Sequence, residues 1–192
     1  MKKRILILSA ILAIATTSYA QQVGTVEMTG DINYQHLFLK DDADVIKYSG
    51  GCLVELGADY HITDLLYAGG SLGFSLSVIT SEYAGIESMS DMYDVRVPLH
   101  AGVSSPDRKF KFDTGPFLDF SVAGKTEISY DSFSSEKNIT RLKDMDVNRV
   151  SLGWGVSVVL FKYLKIGYGI KLTDSVYGKG GQTHLITIGY SF

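Results

Sequence analysis

The chain has 192 residues, of which 45% are hydrophobic and 20% charged, with 20 glycines, 3 prolines and 1 cysteine. This composition excludes a disordered chain, a collagen-like repeat and a disulfide scaffold, and it leaves room for one folded domain. A formal charge of −3 excludes the basic surface that nucleic-acid binding needs, so no nucleic acid is expected among its partners.

The N-terminus reads as an export signal. Lys2, Lys3 and Arg4 precede an apolar stretch over residues 5–15, and Thr17-Ser18-Tyr19-Ala20 supplies small residues for cleavage. A signal peptide is predicted over residues 1–20, with a mature domain over 21–192. The apolar stretch is shorter than the roughly 18 residues a membrane helix needs. No Cys follows Ala20 to carry a lipid anchor, and residues 21–192 hold no run long enough for a membrane helix.

Period-two alternation then runs through almost the whole mature chain. Over residues 26–38 one parity carries Val26, Met28, Ile32, Tyr34 and Phe38, while the other carries Glu27, Thr29, Asp31, Asn33 and Gln35. The same two-sided pattern returns at 52–60, 66–76, 93–103, 110–122, 149–158, 165–172 and 183–192, which makes eight predicted strands. Links at 62–65, 104–108 and 159–163 are short, whereas those at 39–49, 79–91, 124–145 and 174–182 are long. The Ser-, Asp-, Glu- and Lys-rich stretch 125–144 is the expected mobile loop.

Alternating short and long links predict an all-β, eight-stranded antiparallel up-and-down transmembrane β-barrel. Turns and both mature termini would lie in the periplasm and the long loops outside. A soluble barrel around a ligand would turn its apolar parity inward. Two features favour the reverse. The polar parity is rich in glycine (Gly57, Gly69, Gly73, Gly115, Gly153, Gly155, Gly167, Gly169 and Gly189), as a narrow interior requires. Aromatic residues gather at the strand ends, with Tyr60, Phe110, Phe112, Tyr163, Tyr190 and Phe192 at one rim and Phe38, Tyr48, Tyr93 and Phe120 at the other.

With the polar parity inside, the lumen would gather Glu27, Asp31, Glu55, Asp59, Asp94, Asp113 and Asp119 against Arg96, Lys111, Arg149, Lys165 and Lys171, with His100 among them. Near-balanced charge shielded from water calls for mutual pairing. An ion or proton path through the same groups is the functional alternative. No Ser, His and carboxylate stand together at local spacing and no metal-ligand spacing occurs, so neither an enzyme nor a cofactor is expected. Cys52 reads as a small apolar residue on the lipid face.

The ending Ile186-Thr187-Ile188-Gly189-Tyr190-Ser191-Phe192 resembles the terminal signature of bacterial outer-membrane proteins. The resemblance implies that Ile188, Tyr190 and Phe192 are read by the barrel-assembly machinery. Tyr93-Asp94-Val95-Arg96-Val97-Pro98-Leu99, Gly115-Pro116-Phe117, Gly153-Trp154-Gly155-Val156 and Tyr168-Gly169-Ile170 are similar to strands of the PorT-like, OmpX-like outer-membrane barrels of Bacteroidota. This likeness spans most of residues 23–192 and implies an outer-membrane barrel without a defined activity. The expected function is a structural or surface-interaction barrel that contacts outer-membrane lipid and meets an envelope partner through its loops. An accessory of an envelope secretion machine and a narrow channel are the alternatives.

Overall fold

A computed structural model describes residues 23–39, 46–83, 86–129 and 137–192. The expected signal peptide lies outside the described residues. Nine strands follow one another, β1 (Val26–Leu39), β2 (Ile46–His61), β3 (Leu66–Tyr83), β4 (Ile86–Ser104), β5 (Phe110–Ser129), β6 (Lys137–Arg141), β7 (Val150–Leu160), β8 (Leu164–Lys171) and β9 (Thr183–Ser191). All pair antiparallel with their neighbours, and eight of them close a ring in the order β1, β2, β3, β4, β5, β7, β8, β9 and back to β1. The ninth, β6, lies outside the ring and pairs only with the upper end of β5. The fold is thus an up-and-down barrel.

The register defines how steeply the strands climb. Starting at Val26, the ladder passes through Tyr60, Ala68, Ala101, Thr114, Val156, Tyr168 and Ile186 and returns to β1 at His36, ten residues further along. A stagger of that size in an eight-stranded ring tilts the strands by about 40° and leaves an interior that side chains fill. On β5, the step from Phe110 to Phe120 then spans roughly 33 Å along the strand and roughly 25 Å along the barrel axis, the height of an apolar membrane band.

Three short turns, at 62–65, 105–109 and 161–163, close one end. The other end departs from the expected loops. Residues 79–91 are a continued ladder in which β3 and β4 pair as far as Tyr83 with Ile86. The stretch expected to be mobile holds the last turns of β5, the strand β6 and a 3-10 turn at Leu142–Asp144; residues 130–136 lie outside the description. Above the rim, β2 to β6 therefore rise as a fin. A bulge at Val122 opposite Tyr93 and Asp94 marks its base, and there β5 exchanges its faces.

Candidate functional site: the paired lumen and its plug

Parity assigns the two faces of the wall. Outside stand Met28, Leu72, Phe74, Leu99, Val122, Leu152, Trp154, Tyr168 and Ile188, all exposed, with Leu99 at 59% and Phe74 at 60%. Inside stand Asn33, Gln35, Glu55, Asp59, Ser75, Asp94, Arg96, Asp119, Ser157 and Lys171, all buried. A water-soluble barrel has the opposite arrangement.

The lumen charges form three tiers. Nearest the short turns, Glu27 accepts from Arg108 at 2.6 Å and Lys111 at 3.3 Å and faces His61 at 3.0 Å. Lys111 also reaches Asp59 at 3.3 Å, and Asp59 meets His100 Nε2 at 2.8 Å. Asp113 completes this tier, accepting from the Tyr67 hydroxyl at 3.2 Å and the Ser157 hydroxyl at 2.9 Å. In the middle, Lys165 bridges Asp31 at 2.5 Å and Glu55 at 3.4 Å. A cavity of about 120 Å³ lies along these two tiers, lined by Asp31, Glu55, Asp59, Lys111, Asp113 and Lys165 among others. Its size and the charged groups along it suit a few water molecules.

The upper tier is the tightest. Arg96 forks onto both oxygens of Asp119 at 2.7 and 2.9 Å, and Lys171 adds a third contact to Asp119 at 2.8 Å. Arg96 also donates to Gln35 at 3.0 Å and lies over the Phe117 ring at 4.6 Å. Asp94 accepts from Ser121 at 2.6 Å and from the Tyr177 hydroxyl. Lumen width explains the glycines here. A Cβ on Gly153 would stand 2.1 Å from the Phe117 ring, so the ring lies in the space that the glycine leaves.

Arg149 departs from the expected set. It is exposed, because it precedes β7, and its guanidinium donates to the Leu142 carbonyl at 3.2 Å instead of joining the lumen tiers. His61, Arg108 and Tyr177 enter the network from positions that alternation did not assign to the lumen. The first two sit at or beyond strand ends, and the third lies in a link.

Over the upper tier lies an apolar plug. Leu37, Met92, Phe117, Leu142, Tyr177 and Leu185 pack together, with Leu39, Ile79, Met145 and Val176 against them. Two links fold inward to supply it: the 3-10 turn brings Leu142, and the link 172–182, held by a bridge between Ser175 and Gly178, brings Tyr177. Gly178 (φ 138) and Gly181 (φ 78) take backbone conformations that favour glycine, and they turn this link back towards the wall. The sequence did carry a signal for the plug, since Leu37, Phe117 and Leu185 interrupt the polar parity.

Outside the wall, the Ser105 hydroxyl and Lys109 hold the Asp107 carboxyl below the usual carboxylate range. On the fin, Glu127 holds the Lys125 ammonium above its ordinary value. Among the described residues no group of three or more His, Cys, Asp or Glu side chains is arranged to hold a metal ion, and no helix is long and apolar enough to cross a membrane.

The architecture is that of a closed eight-stranded barrel with an apolar exterior, a paired polar interior and a sheet rising from one rim. No protein-family model matches the sequence, and no curated protein matches it. Among solved structures it is similar to the attachment invasion locus protein Ail of Yersinia pestis, at 15% identity and a TM-score of 0.44, covering 89% of this chain and 100% of that one. A second structure of Ail, in complex with the heparin analogue sucrose octasulfate, matches at 15% identity and a TM-score of 0.46 over 89% of this chain and 100% of that one. The N-terminal β-barrel domain of Pseudomonas aeruginosa OprF matches at 12% identity and a TM-score of 0.34, again over 89% of this chain and 100% of that one.

Proposed function

We propose that this chain is an integral outer-membrane β-barrel without enzymatic activity, whose filled lumen is structural and whose working surface is the fin above the rim. One observation carries the reading. Between the short turns and the base of the fin, the outward parity of the eight ring strands is apolar and carries no Lys, Arg, Asp or Glu among the described residues, while the charges are paired inside. Lipid fits such an exterior and water does not. Closure supports the same reading, because a ring leaves no unpaired strand edge at membrane depth.

The Trp154 and Thr114 polar groups on the outer face find partners there, as a lipid environment demands. Trp154 Nε1 donates to Thr114 Oγ1 at 2.9 Å, and that hydroxyl donates to the Gly155 carbonyl at 3.0 Å. Tyr163 and Tyr190 stack at 5.3 Å by the short-turn end, in the manner of an interfacial girdle. In this reading the short turns and both mature termini are periplasmic, residues 1–20 are removed on export, and Ile188, Tyr190 and Phe192 are the ending that the assembly machinery reads.

The plug favours a surface role over conduction, since ions would have to cross an apolar layer and then a lumen of paired charges. The fin offers two strand edges clear of the barrel, β6 on one side and the start of β2 on the other, and an edge outside lipid is a surface onto which a partner strand adds. The test is fractionation of the tagged protein with heat-dependent gel mobility. The reading expects it in the outer membrane, resistant to alkaline extraction and faster on gels before boiling. Release by alkaline wash would refute it. Envelope proteins recovered in stoichiometric amounts from a mild-detergent extract would identify the fin's partner.

A further inference from the structure

On the outward parity of β1 one position has no side chain. Val26, Met28 and Ile32 are exposed, yet Gly30 between them is buried. What covers it is the ring of Phe192, which follows β9 on the other side of the seam. A Cβ on Gly30 would stand 2.5 Å from Cε2 and 2.8 Å from Cζ of that ring, so the ring fills the space a side chain would take. The two backbones are joined as well. Phe192 N donates to the Gly30 carbonyl at 2.8 Å, and Gly30 N donates to the Phe192 carbonyl at 2.9 Å.

This pair is the last rung of the seam. The β1 and β9 ladder runs from Leu39 opposite Thr183 to Asp31 opposite Ser191, and the rest of β1 down to Val26 pairs with β2 alone among the described residues. A terminal rung is where a ladder opens first. An aromatic ring laid across a glycine on the neighbouring strand offsets the missing side chain and pins the register there. The Phe192 ring also ends a row on the outer wall. It lies 6.2 Å from Tyr190, which stacks on Tyr163 at 5.3 Å, so the row leads from the turn before β8 across β9 to β1.

In the assembly reading above, Ile188, Tyr190 and Phe192 are held by the machinery before the barrel closes. The Phe192 ring cannot lie over Gly30 and in a second pocket at once, and its backbone N–H cannot serve two strands. We propose that Gly30 is the seat that takes the Phe192 ring over from the assembly machinery, so that filling it ends the machinery's hold as the seam closes. The inference rests on the membrane and assembly readings and assigns Gly30 a positioning role that neither contains.

The full mature protein is diluted from urea into vesicles of lipid alone or vesicles carrying the purified machinery, and heat-dependent gel mobility is followed in time. Gly30→Ala leaves the ending intact but pushes the ring off its seat. With the machinery present it should reach the folded form roughly fivefold more slowly than the parent and remain longer in complex on native gels. In lipid alone nothing competes for the ring, and the slowing should stay below about twofold. Leucine lacks the ring atoms Cε2 and Cζ that the new methyl group meets, so Gly30→Ala/Phe192→Leu should be released as fast as Phe192→Leu alone. Release of Gly30→Ala at the parent's rate overturns the proposal. Equal slowing in both vesicles overturns it too, because the contact would then only stabilise the seam, and so does a double variant as slow as Gly30→Ala. A parent indifferent to the machinery fails the assembly reading and the hand-over with it, whereas a parent that folds in neither vesicle fails the membrane reading instead.

Discussion

Replacing Asp119 tests whether the upper tier is what its geometry says. This carboxylate is 1% exposed and neutralises two cations at once, Arg96 through two hydrogen bonds and Lys171 through a third. Asp119→Leu leaves both cations buried, with Gln35, the Phe117 ring and the Tyr177 ring as the remaining partners. Breaking a buried pair by removing one partner costs about 3–5 kcal/mol. Taking about 4 kcal/mol and a urea slope of about 2 kcal/mol/M, the unfolding midpoint falls by about 2 M. The assay is urea unfolding in lipid vesicles followed by fluorescence of the single tryptophan, Trp154, which faces outward and reports departure from lipid. Asp119→Asn keeps an acceptor and should fall between. The triple variant Arg96→Met/Asp119→Leu/Lys171→Met removes all three charges and should recover most of the loss, because apolar replacement of a whole buried ionic group is often neutral or stabilising. An Asp119→Leu protein that unfolds with the parent would refute the buried triad, and a triple variant less stable than the single one would refute the account of its cost.

Three further outcomes follow from the same geometry. Leu99→Arg, at mid-height on the outer wall, should cost about 2–4 kcal/mol, whereas Phe110→Arg beside the short turns should cost about 0–1 kcal/mol; equal costs in a vesicle unfolding series would remove the membrane assignment. Gly153→Ala drives a methyl group into the Phe117 ring and should cost about 1–3 kcal/mol, with much of it restored by Phe117→Leu in a double-mutant cycle; additive effects would show that the two positions do not touch. In planar bilayers the parent should carry no steady current, and Tyr177→Ala/Met92→Ala should admit one by opening the plug; steady conduction through the parent would return the lumen to the channel reading.

The wall was legible because both solvents that meet it leave a period-two record. In the proposed membrane reading lipid demands apolar side chains outside and a narrow lumen demands small or polar ones inside, so Val26 to Phe38 or Tyr93 to Val103 declare both strand and face. Above the rim that pressure ends. The outer face of the fin carries Asp91 opposite Lys125 in the β4 and β5 ladder, with Glu127 two residues further along β5, and with water on both sides a continuing strand has no hydrophobic period. For this reason residues 79–91 read as a loop although the ladder runs on to Tyr83 and Ile86. Partners inside the lumen were illegible for another reason. Parity says which way Lys165 points, but its bond to Asp31, 134 positions away, depends on the stagger of the whole ring. Met92 fell one residue before the strand as read, and Tyr177 sits in a link where alternation says nothing.

The same stagger explains why the charges inside are paired tier by tier rather than strand by strand. With the ladder climbing ten residues per circuit, residues at one height come from distant parts of the chain, so the middle tier forms only when the ring closes. Asp31 and Glu55 on β1 and β2 meet Lys165 on β8, and Arg96 and Asp119 on β4 and β5 meet Lys171 at the end of β8. An open sheet would keep Arg96 opposite Asp119 but leave Lys165 apart from Asp31 and Glu55, and slipping the final seam by one residue would turn the whole inward parity of β9 outward. Pairing in the lumen therefore acts as a check on closure. It rewards only the register in which every tier is complete, and the apolar exterior, indifferent to small slips along its own direction, does not supply that discrimination. A variant without the Asp31, Glu55 and Lys165 charges should therefore keep its stability yet close less faithfully, seen as a larger fraction of protein that stays at the unfolded gel position after refolding into vesicles. A triple variant that refolds with the parent's yield would place the discrimination in the backbone ladder alone.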